Sequence, residues 1–336
     1  MNRTSLLLGA AVLALGSPVL ADHMGPSGFG AGGGISVFSP ETMDGRHWGA
    51  AFRITYTRPD QRSDEELQTL AEHGIAAHNT DYSLNAGLGV AYGLNHHLTL
   101  SAELPYVRRD HLREGDEIGV EQLGTVEGIG DLNLLAKYRL TDGQDLGLAL
   151  VGGIKVPTGS THKTANGERL ETEHQPGTGS WDPIFGASAS AKLGIMRLTA
   201  SALYQLATTG AENTRLGNRL QGGVALSHRF GRAEQEPAES RNHHHGDELD
   251  EHHEHAHSSW DALIEVAGEW EGRQKIDGEV EQASGGKWAW IAPGLRFNAA
   301  TGWSASAGIA VPFWQQIRPS HPDNRYRVTL SLGRTF

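Results

Sequence analysis

The chain has 336 residues, with 28 Lys and Arg against 40 Asp and Glu, no cysteine, and a formal charge of −12. A partner with a phosphate backbone demands a basic face, so this balance excludes nucleic acid. Without cysteine no disulfide braces the chain, and its stability must come from packing and backbone hydrogen bonds.

Arg3 precedes an apolar run from Leu6 to Leu20 that is broken by Ser17-Pro18 and followed by Ala21. Such a run, with small residues ahead of the break, reads as an export signal over residues 1–21. It is shorter than the ~20 apolar residues of a membrane-spanning helix. Cleavage removes Arg3, the one charge in that segment, and takes the formal charge from −12 to −13. Residues 22–47 then form a glycine-rich leader, whose GPSGFGAGGG stretch (Gly25–Gly34) is expected to enter the following domain as a plug.

From residue 48 onward the chain alternates. In HLTLSAELPY, Leu98, Leu100, Ala102, Leu104 and Tyr106 share one face, and Thr99, Ser101 and Glu103 the other. GDLNLLAKYRL sets Leu132, Leu134, Ala136, Tyr138 and Leu140 against Asp131, Asn133, Lys137 and Arg139. RLTASALYQL repeats the device, with Leu198 to Leu206 against Arg197, Thr199, Ser201 and Gln205. A period of two with one apolar and one polar face is a strand signature. Twelve such segments lie at about 48–59, 79–94, 97–110, 129–142, 144–158, 180–194, 196–209, 215–230, 259–272, 286–299, 301–315 and 324–336. Most reach the ~9–11 residues with which a tilted strand crosses a bilayer. Trp48, Tyr56, Tyr92, Trp260, Trp270, Trp303 and Phe313 fall near segment ends, where interfacial aromatic girdles belong. The negative mean hydropathy is no objection, because a barrel wall hides its apolar face by alternation. The fold class expected over 48–336 is all-β: a transmembrane, antiparallel, up-and-down β-barrel of about 12 strands.

The links alternate as well. NHH, DGQ, GI and AAT join segments 2–3, 4–5, 6–7 and 10–11, whereas the links after segments 1, 3, 5, 7, 9 and 11 are mostly longer and polar. Short turns mark the periplasmic side of a bacterial outer-membrane barrel, and an even strand count places both termini there. In the first long loop, Ser63 and Glu66 fit a capping box and Gly74 a stop, predicting a short surface helix. The chain closes with RYRVTLSLGRTF, in which Tyr326, Val328, Leu330, Leu332 and Phe336 share a face. A last strand ending in Phe336 resembles the assembly signal of such barrels and implies two partners, the barrel-assembly machinery and outer-membrane lipid. Arg334 departs from the pattern by occupying the lipid-facing row, where it can snorkel to headgroups.

AELPY (Ala102–Tyr106), GIGDLNLLAKYRL (Gly128–Leu140), KVPTG (Lys155–Gly159) and GTGSWDPIFG (Gly177–Gly186) occur in an order that resembles the phenol meta-cleavage-pathway outer-membrane protein family. The resemblance implies a β-barrel that passes small solutes, its members being described as outer-membrane transporters or channels. Read physically, Gly128 and Gly130 release the chain from a loop into a strand and Asp131 starts a lumen-facing row. Pro157 ends a strand where a missing N–H costs nothing, and Gly159 permits a turn. Barrel-rim architecture is favoured over gating as the role of these motifs.

Alternation assigns Arg53, Glu103, Asp131, Lys137, Arg139, Lys155, Asp182, Arg219, Glu265, Glu269, Arg296 and Arg327 to the lumen, together with Lys192, Arg197, Arg229, Asp261 and Arg325. Charges of both signs must pair across the lumen or sit in water. That leaves two readings, a salt-bridge network that fills the barrel and a wet passage whose charge rows select solutes.

One link breaks the rule. After segment 8, on the side of tight turns, residues 231–258 carry HHHGDELDEHHEHAH, seven histidines and five carboxylates in fifteen residues. Neutral imidazoles bind Zn²⁺, Ni²⁺ or Cu²⁺, and His243, His244, His245, His252, His253, His255 and His257 offer several ligand sets. No H-E-x-x-H is present, and no cofactor is required by the barrel itself. No G-x-S-x-G is present either, and the chain is not read as an enzyme. The leading reading is a channel or transporter for small solutes, linked to transition-metal or aromatic-compound handling. The alternative is a metal-binding protein whose barrel is only an anchor.

Overall fold

The computed structural model describes residues 33–116, 118–141, 145–231 and 258–336. The expected signal segment, most of the glycine-rich leader, Asp142–Gln144 and the seven histidines of the 231–258 link lie outside the described residues.

Thirteen long strands form twelve walls. They are β1 (Trp48–Pro59), β2 (Tyr82–Asn95), β3 (Leu98–Asp116), β4 (Gly119–Ile129), β5 (Leu132–Arg139), β6 (Leu146–Val156), β7 (Asp182–Leu193), β8 (Met196–Gln205), β9 (Arg219–Phe230), β10 (Ser259–Glu271), β11 (Gly286–Asn298), β12 (Trp303–Ile317) and β13 (Asn324–Thr335). Each wall pairs antiparallel with its sequence neighbour, and β1 pairs with both β2 and β13, from Gly49↔Thr335 to Pro59↔Asn324. That pairing closes the sheet, so no strand edge faces lipid and the wall's backbone groups are satisfied internally. Trp48 and Phe336 seal the seam by exchanging backbone hydrogen bonds of 3.2 and 2.8 Å.

The expected wall at 129–142 is built differently. β3 runs 19 residues, twice the reach of a bilayer crossing, and β4 and β5 share its edge end to end. β5 pairs with Leu98–Glu103 and β4 with Tyr106–Asp116, so β3 and β4 project as a hairpin above the barrel. Segment periodicity did not reveal β4, because Gly119–Ile129 carries Glu121, Gln122, Thr125 and Glu127 without a continuous apolar face.

The two ends differ as the link lengths imply. β2–β3, β7–β8 and β11–β12 are joined by short turns at the end that carries Trp48 and Phe336, the periplasmic side. The opposite, extracellular end carries the long loops. In the first of these, helix α1 (Asp64–Glu72) starts at Ser63, whose hydroxyl accepts from the Glu66 N–H at 3.2 Å. It stops at Gly74, φ +73°, and buries Leu67 against the β3–β4 hairpin. The apolar rows of the walls face outward: Leu88, Leu150, Phe185, Leu330 and Leu332 are about half exposed or more, as a lipid-facing surface requires. Arg334 sits in that outer row at the periplasmic rim, its guanidinium 5.1 Å from the Trp303 ring and 4.9 Å from Phe336.

Candidate functional site

The inward faces of the walls enclose most of residues 33–46, which enter from the periplasmic end, where Asp44 and Arg46 remain exposed. Glu265 on β10 accepts from the Ile35 N–H at 2.8 Å and from the Ser36 hydroxyl at 2.5 Å. Arg296 on β11 donates to the Gly34 carbonyl at 2.6 Å, and Lys137 on β5 to the Ser39 carbonyl at 3.1 Å. The Phe38 and Met43 N–H groups donate to Ser201 and Thr99 hydroxyls on β8 and β3. Phe38 packs among Leu135, Val151, Ile184 and Leu203, which point inward from β5, β6, β7 and β8. The lumen is therefore not uniformly wet. Leu135 and Leu203 interrupt otherwise polar inward rows, and those interruptions are the trace this contact leaves in the sequence. Most of the enclosed segment lies beyond the glycine-rich run: of Gly25–Gly34, only Gly33 and Gly34 are among the described residues.

The charges assigned to the lumen gather into three groups. At the extracellular end of β5, β6 and β7, the Lys155 ammonium lies 3.0 Å from Asp131 and 2.9 Å from Asp182, with its side chain fully buried. It also donates to the hydroxyls of Thr178 and, at 3.2 Å, Ser180. Asp131 in turn accepts from the Gly159 N–H at 3.0 Å and from the Thr178 N–H at 2.9 Å. The GIGD, KVPTG and GTGSWD motifs thus converge on a single ionic node. Gly159 stands at a bend just beyond β6 without a left-handed φ, and a Cβ there would stand 2.6 Å from Gly177 Cα. Its smallness lets two loops touch.

The second group spans the lumen. Arg327 on β13 reaches Glu269 on β10 at 2.7 Å, past two intervening strands, and its guanidinium lies 4.5 Å over the Trp290 ring. Trp288 and Trp290 are both buried inside the barrel, although their residue type suggested no lumen role. Arg219 pairs along the wall with Glu271 at 3.1 Å.

The third group lies nearer the periplasm. Asp261 takes a two-pronged contact from Arg229 at 2.7 and 3.1 Å, and Arg296 approaches it at 4.0 Å. Arg53 and Glu103 attract each other from β1 and β3, across Gly87 and Gly89 of β2, which carry no side chain to separate them. Arg139 donates to the Thr141 carbonyl at the periplasmic turn. Arg325 does not join the lumen: it is 63% exposed and pairs with Asp60 at the extracellular rim, 3.3 Å away. A cavity of about 220 Å³ remains beside the enclosed segment, lined by Arg53, Arg296, Ser306 and Ser331 among others.

Comparison with known proteins agrees with this architecture. A family model described as "Putative MetA-pathway of phenol degradation" matches residues 91–240. The crystal structure of the COG4313 outer membrane channel from Pseudomonas putida F1 superposes with a TM-score of 0.56 at 18% identity, covering 89% of this chain and 98% of that one. LpxR from Salmonella typhimurium aligns with a TM-score of 0.40 at 12% identity, over 85% of this chain and 100% of its own. The beta domain of the Bordetella autotransporter Brka aligns with a TM-score of 0.47 at 10% identity, over 88% of this chain and 100% of its own. No curated protein matches the sequence.

Proposed function

We propose, from the family model matched over residues 91–240, that the chain is an outer-membrane channel for small solutes, held shut by its own residues 33–46. The barrel itself is an outer-membrane barrel. One observation carries the closed state: Glu265, Arg296 and Lys137, from two well-separated parts of the wall, all bond the backbone or hydroxyl of the same enclosed segment. Hydrogen bonds to charged groups contribute about 1.5–3 kcal/mol each, so the segment is held but can be released. The ion pairs around it fix the bore and leave little free charge to trap a solute. Small aromatic compounds are the proposed cargo. Support comes from the family's description, and Trp288 and Trp290 add aromatic character to the barrel interior, with Arg327 over the Trp290 ring. The metal link of the 231–258 histidines rests on composition alone and has no part in this reading.

Planar-bilayer recording tests it. Mature protein should give small or infrequent openings, and a variant lacking residues 22–46 should conduct steadily. If the shortened barrel is folded and never conducts, the barrel is an anchor and the channel reading fails.

A further inference from the structure

Three histidines that play no part in the lumen meet beyond its extracellular end. His78 lies in the first long loop, where it pairs in register with Glu114 of the β3–β4 hairpin. His174 ends a short 3₁₀ turn, Thr172–His174, in the loop between β6 and β7. His321 lies in the loop between β12 and β13. Their relative exposures are 2%, 1% and 6%, far from those of ordinary loop histidines. The rings pack edge to face, with centroids 4.6 Å apart for His78 and His174 and 4.5 Å for His78 and His321.

Hydrogen bonds that do not involve these rings hold the first and last loops together. The His78 N–H donates to the Ser320 carbonyl at 3.0 Å, and Arg62 donates to the carbonyls of Pro319 and His321 at 2.7 Å. The imidazoles are therefore carried on a fixed frame, yet their nitrogens are incompletely used. His78 Nδ1 and His174 Nε2 are buried and make no hydrogen bond among the described residues. Both point at the same carboxylate: Glu173 Oε1 stands 3.7 Å from His78 Nδ1 and 3.9 Å from His174 Nε2. Those separations are too long for hydrogen bonds. They are close to the ~3.3–3.4 Å edge of a tetrahedron with ~2.0–2.1 Å metal–ligand bonds. All three ligand atoms lie within 4.8 Å of one another, so a contraction of about 1.5 Å at most brings them onto one ion.

We propose that His78 Nδ1, His174 Nε2 and the Glu173 carboxylate bind a divalent transition metal, with Zn²⁺ the best fit, and that this ion staples the first and third extracellular loops together. Two imidazoles and a carboxylate are a borderline donor set that suits Zn²⁺ and disfavours Ca²⁺ or Mg²⁺, which take oxygen ligands. Glu114 Oε2, 3.7 Å from the same His174 nitrogen, supplies a second carboxylate for the fourth position and brings the ligand charge level with the ion's. His321 is a positioning residue. Its Nδ1 lies 2.8 Å from His78 Nε2, and if it accepts that proton, the His78 lone pair is on Nδ1, facing the metal. The site is independent of the histidines in 243–257 and of whether the barrel conducts.

The histidine-rich link would obscure the measurement, so the background is a chain lacking residues 242–257, refolded in detergent, with folding confirmed by heat-modifiable migration. Titration with Zn²⁺ alone should give one ion per chain, and Co²⁺ in its place should give the strong visible bands of a tetrahedral site. His174→Ala or Glu173→Gln should abolish both signals, and His321→Gln should weaken zinc binding about 10–100-fold while keeping the cobalt spectrum. If the folded background binds no zinc, or if His78→Phe with His174→Phe binds as much as the background does, the proposal is wrong.

Discussion

Lys155 Nζ lies 3.0 Å from Asp131 Oδ2, and both side chains are almost wholly buried where three separate motifs meet. A charge in such a place is tolerated only while its partners remain, because removing one leaves the others desolvated without compensation. Lys155→Ala leaves Asp131 and Asp182 facing each other unneutralised. We expect it to cost about 3–5 kcal/mol in denaturant unfolding from lipid vesicles. Lys155→Met combined with Asp131→Asn and Asp182→Asn should recover most of that loss, since no buried charge is then left unpaired.

Gly177 and Gly159 make a second prediction at the same node. A Cβ at Gly177 would stand 2.4 Å from the Gly159 carbonyl carbon, backbone that cannot step aside. Gly177→Ala should therefore destabilise by about 1–3 kcal/mol. Gly152→Ala, on β6 with open space around its Cβ, should stay within about 0.5 kcal/mol of the parent in the same unfolding experiment.

Arg334 tests the reading of the periplasmic rim. Its guanidinium lies over Trp303 and Phe336, on the outer face of the last strand. If those contacts are what make a charge tolerable there, Arg334→Ala should lower unfolding stability by about 0.5–1 kcal/mol, and Phe336→Ala with Arg334→Ala should show coupling in a double-mutant cycle.

Glu265 connects stability to gating. It accepts from the Ile35 N–H, the Ser36 N–H and the Ser36 hydroxyl. Glu265→Ala withdraws all these acceptors, so openings in planar bilayers should become several-fold more frequent while the barrel stays folded. An unchanged opening rate would mean that this carboxylate does not hold the segment.

Much of the barrel was legible because lipid imposes a rule on every second residue: outward positions such as Leu330 and Leu332 must be apolar, and a period of two shows directly in sequence. The lumen obeys no such rule. Arg327 and Glu269 are 58 residues apart in sequence, and alternation gives each its face but not its partner. The inward turn of Leu135 and Leu203 needs Phe38 to explain it, and Phe38 lies in a segment without periodicity. His78, His174 and His321 drew no attention because each stands in a different loop, and only the fold of those loops brings them within reach of one another. The dense histidine run, by contrast, is conspicuous in sequence and lies outside the described residues.

Whether residues 33–46 occupy the lumen in the membrane can be asked directly, because the natural chain has no cysteine to interfere. A Cβ at Gly34 would stand 3.0 Å from the Cβ of Ala225 on the inner face of β9, so a shift of about half an ångström, with the Glu265 carboxylate turning aside, reaches the ~3.5–4.5 Å spacing of a disulfide. Gly34→Cys with Ala225→Cys should oxidise in outer membranes to an intramolecular disulfide, seen as a mobility shift, and hold the channel closed until reductant is added. Two free thiols, both open to a bulky maleimide in the folded barrel, would contradict the account.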